Sequence, residues 1–147
     1  MTPIRSLDDL KPGMEFNLGS FVLTRAEVLD FARRFDPQPF HLDEEAGRAS
    51  IFGRLVASGL HTFSAAVGHL IRSGIFAQVN LGAGGAEIAW PAPLDPDTPV
   101  TMRVTVEEVR PSRSKPGMGI AKLSYVVARQ GDGVVVLRVA APHFMKR

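Results

Sequence analysis

The chain has 147 residues, enough for one domain with a hydrophobic core but too few for two of ordinary size. Apolar residues make up 45% and charged residues 22%, as in soluble globular domains, and Lys and Arg are spread along the chain rather than gathered into the basic stripe of a nucleic-acid binder. The absence of cysteine excludes disulfides, a cysteine nucleophile and thiolate metal sites.

The start of the chain does not have the pattern of a targeting segment. Its first thirteen residues are predominantly polar and include Asp8 and Asp9, so they do not resemble a signal peptide. No apolar run approaches the roughly 18–20 residues needed to span a bilayer. We therefore expect a cytoplasmic protein that binds neither membrane nor nucleic acid.

The first predicted elements are a strand and a helix. Met14–Leu23 has the composition of a strand. The Thr-x-x-Glu sequence that begins at Thr24 is typical of a capping box, and it predicts a helix from about Arg25 to Phe35. Pro37 disfavours helical geometry at the residue before it, so this helix should end at Asp36.

Two more helices are predicted before the middle of the chain. Asp43 and the two acidic residues after it suit the first turn of a short helix that continues to about Ala49. Ser58 is a typical N-cap for the main helix, Gly59–Ile71, in which apolar residues recur at helical spacing. Because this segment carries no charge while its histidines are neutral, we expect a helix buried on all sides.

The second half of the chain is predicted to form a sheet. Gly82–Gly85 lacks the spacing of a nucleotide-binding fingerprint and is interpreted as a flexible loop. The strand candidates are Ala86–Trp90, Val100–Val109, Ile120–Arg129 and Val134–Ala141. One strand, then helices, then four strands predicts a single α+β domain over residues 1–147, with an antiparallel sheet packed on one long helix.

A carboxylate and an imidazole lie five residues apart where the first helix ends. Two prolines stiffen the spacer between Asp36 and His41. Fully extended, the spacer would span roughly 16 Å, so the two groups share one site only if the segment bends. A bent segment would suit an acid and a base around one water molecule. Taken alone, however, these residues favour a solvated carboxylate at a helix end and a structural histidine.

A family resemblance changes that balance. Phe31–Thr62 resembles the hydratase motif of the MaoC-like family, which includes (R)-specific enoyl-CoA hydratases. The family motif has an Asp, a short spacer containing Asn-Pro, a His, a helical segment and a small residue followed by Gly at the start of the central helix. The resemblance implies the hot-dog fold, in which a curved antiparallel sheet wraps around a long helix. The motif is specific for the family but not for a substrate.

The resemblance also implies roles for residues at matching positions. Asp36 and His41 match the catalytic pair, and Ser58-Gly59 matches the helix start whose backbone N–H faces the thioester carbonyl. The implied reaction adds water to a trans-2-enoyl thioester, or removes it from a 3-hydroxyacyl thioester. His41 would take a proton from water, Asp36 would deliver one to C2, and the Gly59 N–H would stabilise the thioester oxygen.

Other expectations concern the pocket and the partners. Gln38 stands where many hydratases have Asn, and its longer side chain changes the geometry of the motif. Gln38, Phe40 and His61 are the possible pocket residues. No cofactor is expected beyond the coenzyme A or acyl carrier of the substrate itself. The resemblance further implies a homodimer or larger homo-oligomer.

The remaining histidines and basic residues carry weaker predictions. His61 and His69 are eight residues apart, which is not the spacing of helical metal ligands, so each is interpreted as a core or pocket-lining residue, and no metal site is predicted. His143 is interpreted as structural. The candidates for binding the phosphates of coenzyme A are Arg54, Arg110, Arg113 and Lys115, for which a solvated surface position is at least as good an interpretation.

Two alternative functions stay open. A hot-dog thioesterase would often use a carboxylate from the central helix, and Gly59–Ile71 contains neither Asp nor Glu. A non-catalytic protein that binds acyl thioesters would share the pocket without needing both Asp36 and His41.

Overall fold

The computed structural model describes residues 1–147, and the predicted helices and strands occur in the predicted order, together with one short helix and one short strand that were not predicted. The helices are α1 (Arg25–Phe35), α2 (Pro39–Leu42), α3 (Glu44–Arg48) and α4 (Gly59–Arg72). The strands are β1 (Glu15–Phe21), β2 (Asn80–Ala83), β3 (Glu87–Ala89), β4 (Val100–Pro111), β5 (Met118–Arg129) and β6 (Val135–Lys146). None of the helices combines the length and apolar character that crossing a bilayer requires.

The strands form one antiparallel sheet, which confirms the predicted α+β class. Its order is β1-β4-β5-β6-β2, and β3 also pairs with β6. Asn80 of β2 lies opposite Met145, whereas Glu87 of β3 lies opposite Ala140, so the two short strands cover successive parts of β6. One edge of the sheet is therefore a strand interrupted by the glycine passage.

The core lies between the inner face of the sheet and α4. Burial alternates along β5, as expected for a strand with one face on the core and the other toward solvent. The inward residues of β5 are Ala121, Leu123, Tyr125 and Val127. From α4, Ala66 and Leu70 join the same core. Sheet and helix together leave an opening near the first turn of α4, where the candidate site is found.

The helix ends follow the predicted local chemistry, with one difference. Thr24 and Glu27 make both bonds of the capping box at the start of α1. The side chain of Asp43 caps α3 by accepting a hydrogen bond from a backbone N–H. Ser58 precedes α4 as predicted, but its side chain makes no capping bond. Its hydroxyl instead donates to the carboxylate of Asp36.

The prediction that α4 is buried on all sides is wrong for the single chain. Leu60 and Ile71 are 46% and 55% exposed. The sheet covers one side of the helix, and nothing in the chain covers these two residues on the other. The apolar sequence of α4 thus reflects the burial of one face only, and the other face is exposed to solvent.

Two regions differ from the sequence predictions. Asn80–Ala83 forms β2, although the glycine passage predicts only a loop there. Gly82 has φ of 143°, a conformation that favours glycine, and the strand register shifts beside it. The polar N-terminal segment places Leu7 and Leu10 in the core, around a short 3-10 turn.

Candidate active site

A cavity of about 640 Å³ opens beside the start of α4. It lies between the α1–α2 junction, residues 52–57, the first turn of α4 and the segment that follows β3. The larger apolar residues in its walls are Phe40, Phe52, Val56, Leu60, Trp90 and Leu94. Asp36 and His41 are the only ionisable residues in the lining. A mostly apolar cleft with a few convergent polar groups is typical of small-molecule sites.

The bend needed to bring Asp36 and His41 together is a single turn of helix. α1 ends before Asp36, and the N–H of Gln38 donates to the Asp36 carbonyl at 2.8 Å. Pro39 then occupies the first position of α2, where its missing N–H costs no hydrogen bond. His41 lies on this turn, and its Nε2 is 3.4 Å from Oδ2 of Asp36. The structure therefore brings together the pair that the sequence places five residues apart.

The hydrogen bonds of His41 define its tautomer. Its Nδ1 lies 2.7 Å from the Val56 carbonyl oxygen, which can only accept, so Nδ1 carries the proton. In the neutral imidazole, Nε2 then presents a lone pair. This lone pair faces Asp36 beside the cavity, while the residue is only 5% exposed. His41 is thereby oriented as a base.

Asp36 is held by two hydrogen bonds from neighbouring side chains. The Ser58 hydroxyl donates to Oδ2 at 2.6 Å, and the Gln38 amide donates to Oδ1 at 2.8 Å. Burial alone would raise the pKa of Asp36, but the bonds from Ser58 and Gln38, together with the nearby His41, lower it below its ordinary value. Asp36 is therefore a carboxylate near neutral pH.

The first turn of α4 presents backbone donors to the cavity. The N–H groups of His61 and Thr62 bond to the Ser58 carbonyl, which leaves those of Gly59 and Leu60 without a partner inside the helix. Gly59 lines the cavity. Because a helix start also carries a partial positive charge, this position favours an oxygen that develops negative charge.

The other residues predicted for the pocket have different outcomes. Gln38 and Phe40 line the cavity, and the longer side chain of Gln38 reaches Asp36. The pocket prediction for His61 is wrong, because its ring stacks on Phe31 with centroids 4.6 Å apart, outside the lining. Its Nδ1 is buried without a hydrogen-bond partner, and burial lowers its pKa. His69 binds the Leu18 carbonyl at 2.6 Å.

Several lining residues lie outside the sequence predictions. Thr62 is one turn after Ser58 and on the same helix face, so the helical period alone could have identified it. The Trp90–Leu94 segment and Val136 reach the cavity only through the pairing of β3 and β6. No local signal in the sequence predicts that pairing.

The basic residues predicted to bind phosphates lie in two different regions of the structure. Arg54 stands near the cavity, where it donates to the Phe52 carbonyl at 3.1 Å and pairs with Asp95. The other three, Arg110, Arg113 and Lys115, lie at or near the β4–β5 hairpin, roughly 30 Å along the strands from the cavity end of the sheet. They do not reach the cavity of their own chain. No group of three or more His, Asp or Glu side chains is arranged to hold a metal ion.

The chain is similar to known proteins over most of its length. Residues 9–128 match the family model described as MaoC like domain. A MaoC-like dehydratase from Rhodospirillum rubrum superposes with a TM-score of 0.90 and 38% identity, covering 97% of each chain. An (R)-hydratase from A. caviae involved in PHA biosynthesis gives a TM-score of 0.68 and 26% identity, over 93% of this chain and 96% of that one.

The chain also has a relative that is similar in sequence. The uncharacterized protein YdeM of Bacillus subtilis is 28% identical over 119 residues, which cover 80% of this chain and 84% of the relative. The similarity to the R. rubrum structure confirms the predicted hot-dog fold. Since the family model spans most of the sequence, the chain belongs to the MaoC-like family.

Proposed function

We propose that the protein is a hydratase/dehydratase that adds water to a trans-2-enoyl thioester or removes it from a 3-hydroxyacyl thioester. The observation that carries the proposal is the pair formed by His41 Nε2 and Asp36 Oδ2, 3.4 Å apart at the cavity. Both atoms are acceptors when His41 is neutral and Asp36 is ionised. A water molecule that donates one hydrogen to each would satisfy both and keep its oxygen lone pair for attack.

The proposed reaction starts from this shared water. His41 Nε2 takes a proton as the water oxygen bonds to C3, and the π electrons of C2=C3 move toward C2 and the thioester oxygen. Asp36 takes over that proton from the neighbouring imidazole and delivers it to C2, so atoms and charge balance. Because the pKa of Asp36 is lowered, its carboxyl is ionised before the reaction starts. The proton that it delivers to C2 therefore originates from the water.

The remaining groups have supporting roles. The Gly59 N–H at the start of α4 would donate to the thioester oxygen as negative charge develops there. The apolar walls would hold the acyl chain, and no cationic side chain in the lining would pair with a charged acyl group. Coenzyme A or an acyl carrier would enter only as part of the substrate.

The relatives support this proposal at a coarser level. The similar structures include a protein described as a MaoC-like dehydratase and one described as an (R)-hydratase. A hydratase/dehydratase activity thus agrees with the family, whereas the proposal for the acyl chain and its carrier is based on the cavity alone.

An assay on crotonyl-CoA separates the proposed function from its alternatives. We expect loss of the enoyl absorbance without release of free thiol, and chiral analysis of the product would give its configuration. Free thiol would indicate a thioesterase. Binding without either change would indicate a non-catalytic acyl-thioester protein. Either outcome would contradict the proposal.

We also propose a homodimer. The sheet edge at β2 is open in the single chain, and the exposed apolar residues near it and on α4 include Leu60, Ile71 and Leu81. Pairing of this edge with a second copy would continue the sheet and cover apolar surface. Light scattering coupled to size exclusion should give twice the mass of the chain, and a monomer would contradict this.

A further inference from the structure

The only tryptophan of the chain lies against the first residue of α4. Trp90 follows β3 directly and lines the cavity. Its indole N–H donates to the Gly59 carbonyl at 2.8 Å, although 44% of the residue is exposed. A large aromatic side chain that remains this exposed is held in place by this bond and by its contact with the helix start.

The contact with Trp90 also leaves no room for a side chain at Gly59. A Cβ atom at this position would come within 2.5 Å of Trp90 Cε2 and 2.6 Å of Nε1, closer than any real Cβ contact allows. The backbone of Gly59 does not require glycine, because it is not among the glycines with positive φ. The indole, and not the backbone conformation, therefore accounts for a glycine at residue 59.

We propose that Trp90 is a positioning residue that acts through Gly59. The indole holds the Gly59 carbonyl and packs on its Cα, which fixes the residue whose N–H would face the thioester oxygen. This inference rests on the proposed function, in which that N–H stabilises developing charge. The ring also forms the cavity wall next to Gly59, so the approach of the thioester and the position of the donor are set by one side chain.

The other large aromatic residues in the lining behave differently. Phe40 and Phe52 pack against each other with centroids 5.3 Å apart, and Phe40 also contacts the ring of His41. Neither can donate a hydrogen bond to α4. Phe52 therefore serves as a matched comparison for Trp90: both contribute aromatic surface to the cavity, but only Trp90 is bonded to the helix start.

The first part of the test does not depend on turnover. As the sole tryptophan, Trp90 gives a single indole N–H resonance, which we expect to be protected from exchange and to shift in Gly59→Ala. In a double-mutant cycle of thermal unfolding, Gly59→Ala should lower Tm clearly in the natural chain and much less when Trp90 is also replaced by Ala. Equal losses of Tm in both backgrounds would overturn the coupling between the two residues.

The second part tests the consequence for turnover. Trp90→Phe keeps a ring but removes the N–H, so we expect kcat on crotonyl-CoA to fall about tenfold with little change in KM, because a displaced donor weakens the transition state. Phe52→Leu removes cavity wall without touching α4, so its main effect should be a raised KM. A kcat of Trp90→Phe equal to that of the natural protein would overturn the positioning role.

The two parts also separate this inference from the proposed function. If the natural protein does not hydrate crotonyl-CoA or other enoyl thioesters, the effect of Trp90 on turnover is refuted together with the proposed function. The resonance and the unfolding cycle then decide by themselves whether Trp90 fixes Gly59.

Discussion

Two buried histidines of this molecule carry their proton on the same nitrogen but differ in the partner of the other nitrogen. His41 donates from Nδ1 to the Val56 carbonyl. His143 donates from Nδ1 to the Asn80 side-chain oxygen at 3.1 Å. The difference lies at Nε2. The Tyr125 hydroxyl donates to Nε2 of His143, whereas Nε2 of His41 faces a carboxylate beside the cavity.

The comparison separates a structural imidazole from one with the geometry of a base. Every hydrogen-bonding atom of His143 has a protein partner inside the sheet, so its ring can stabilise the fold but has no free lone pair. His41 keeps a lone pair that no neighbouring side chain satisfies when Asp36 is ionised. Burial is nearly equal, at 5% exposure for His41 and 6% for His143, so the partner at Nε2 is what distinguishes them.

The largest effect should come from His41→Gln. Glutamine has roughly the length of the imidazole side chain, but it cannot act as a base toward water. We expect kcat on crotonyl-CoA to fall by about 10²–10⁴-fold, with a folded protein by circular dichroism. Retention of most of the activity would show that the free lone pair of His41 has no role in catalysis.

A smaller effect should follow from loss of the bonds that hold Asp36. Ser58→Ala removes a buried donor that lowers the pKa of Asp36, so this pKa should rise. NMR titration of the Asp36 carboxyl carbon measures the rise directly, and we also expect about a tenfold loss of kcat because the carboxylate is less firmly held. Gln38→Ala should raise the pKa in the same direction but less, because Gln38 is exposed. A pKa of Asp36 that is unchanged in both variants would contradict the role of these two bonds.

Tyr125→Phe should affect stability and leave turnover intact. The change leaves Nε2 of His143 buried without a donor, which costs about 1–3 kcal/mol in the free energy of unfolding. Urea unfolding measures this loss, and kcat should stay within about twofold of the natural value. A fall in kcat comparable to that of His41→Gln would remove the distinction between the two histidines.

The smallest expected effect is on the pH dependence of stability. Burial lowers the pKa of His143 below its ordinary value of 6.5, so the unfolded chain takes up a proton at a higher pH than the folded one. The stability that His143 contributes is present above pH 6.5 and is lost as the pH falls toward the folded-state pKa.

Urea unfolding from neutral to mildly acidic pH tests this effect. His143→Gln should lose less stability over this range than the natural chain. His61→Gln is a useful control, since burial also lowers the pKa of His61, and Glu27 opposes that shift. A steeper loss in His143→Gln than in the natural chain would contradict this account.

Local chemistry made much of the fold predictable. The capping box at Thr24 and the proline after Asp36 define α1, because both act within a few residues of the helix ends. The alternation along the long strands likewise reflects a two-sided sheet. The exposed face of α4 was not predictable, because an apolar sequence does not say whether the covering surface belongs to the same chain.

The candidate site was predictable only in part. The family motif identified Asp36 and His41, and the structure places them together. The role of the Ser58 hydroxyl was not predictable, because a serine before a helix can accept from the backbone or donate to a carboxylate, and tertiary contacts decide which. Trp90 reaches Gly59 through the pairing of β3 with β6, and His61 turns away to stack on Phe31.

The most direct test of the central claim is the hydration of crotonyl-CoA by Asp36→Asn. Asparagine keeps the size of the side chain and can still accept a hydrogen bond from Ser58, so the fold and the fluorescence of Trp90 should be preserved. We expect hydration to fall to the level of His41→Gln, because the amide cannot take over the proton from His41 and pass it to C2. A folded Asp36→Asn protein with full hydratase activity would contradict the assignment of Asp36 and His41 as the catalytic pair.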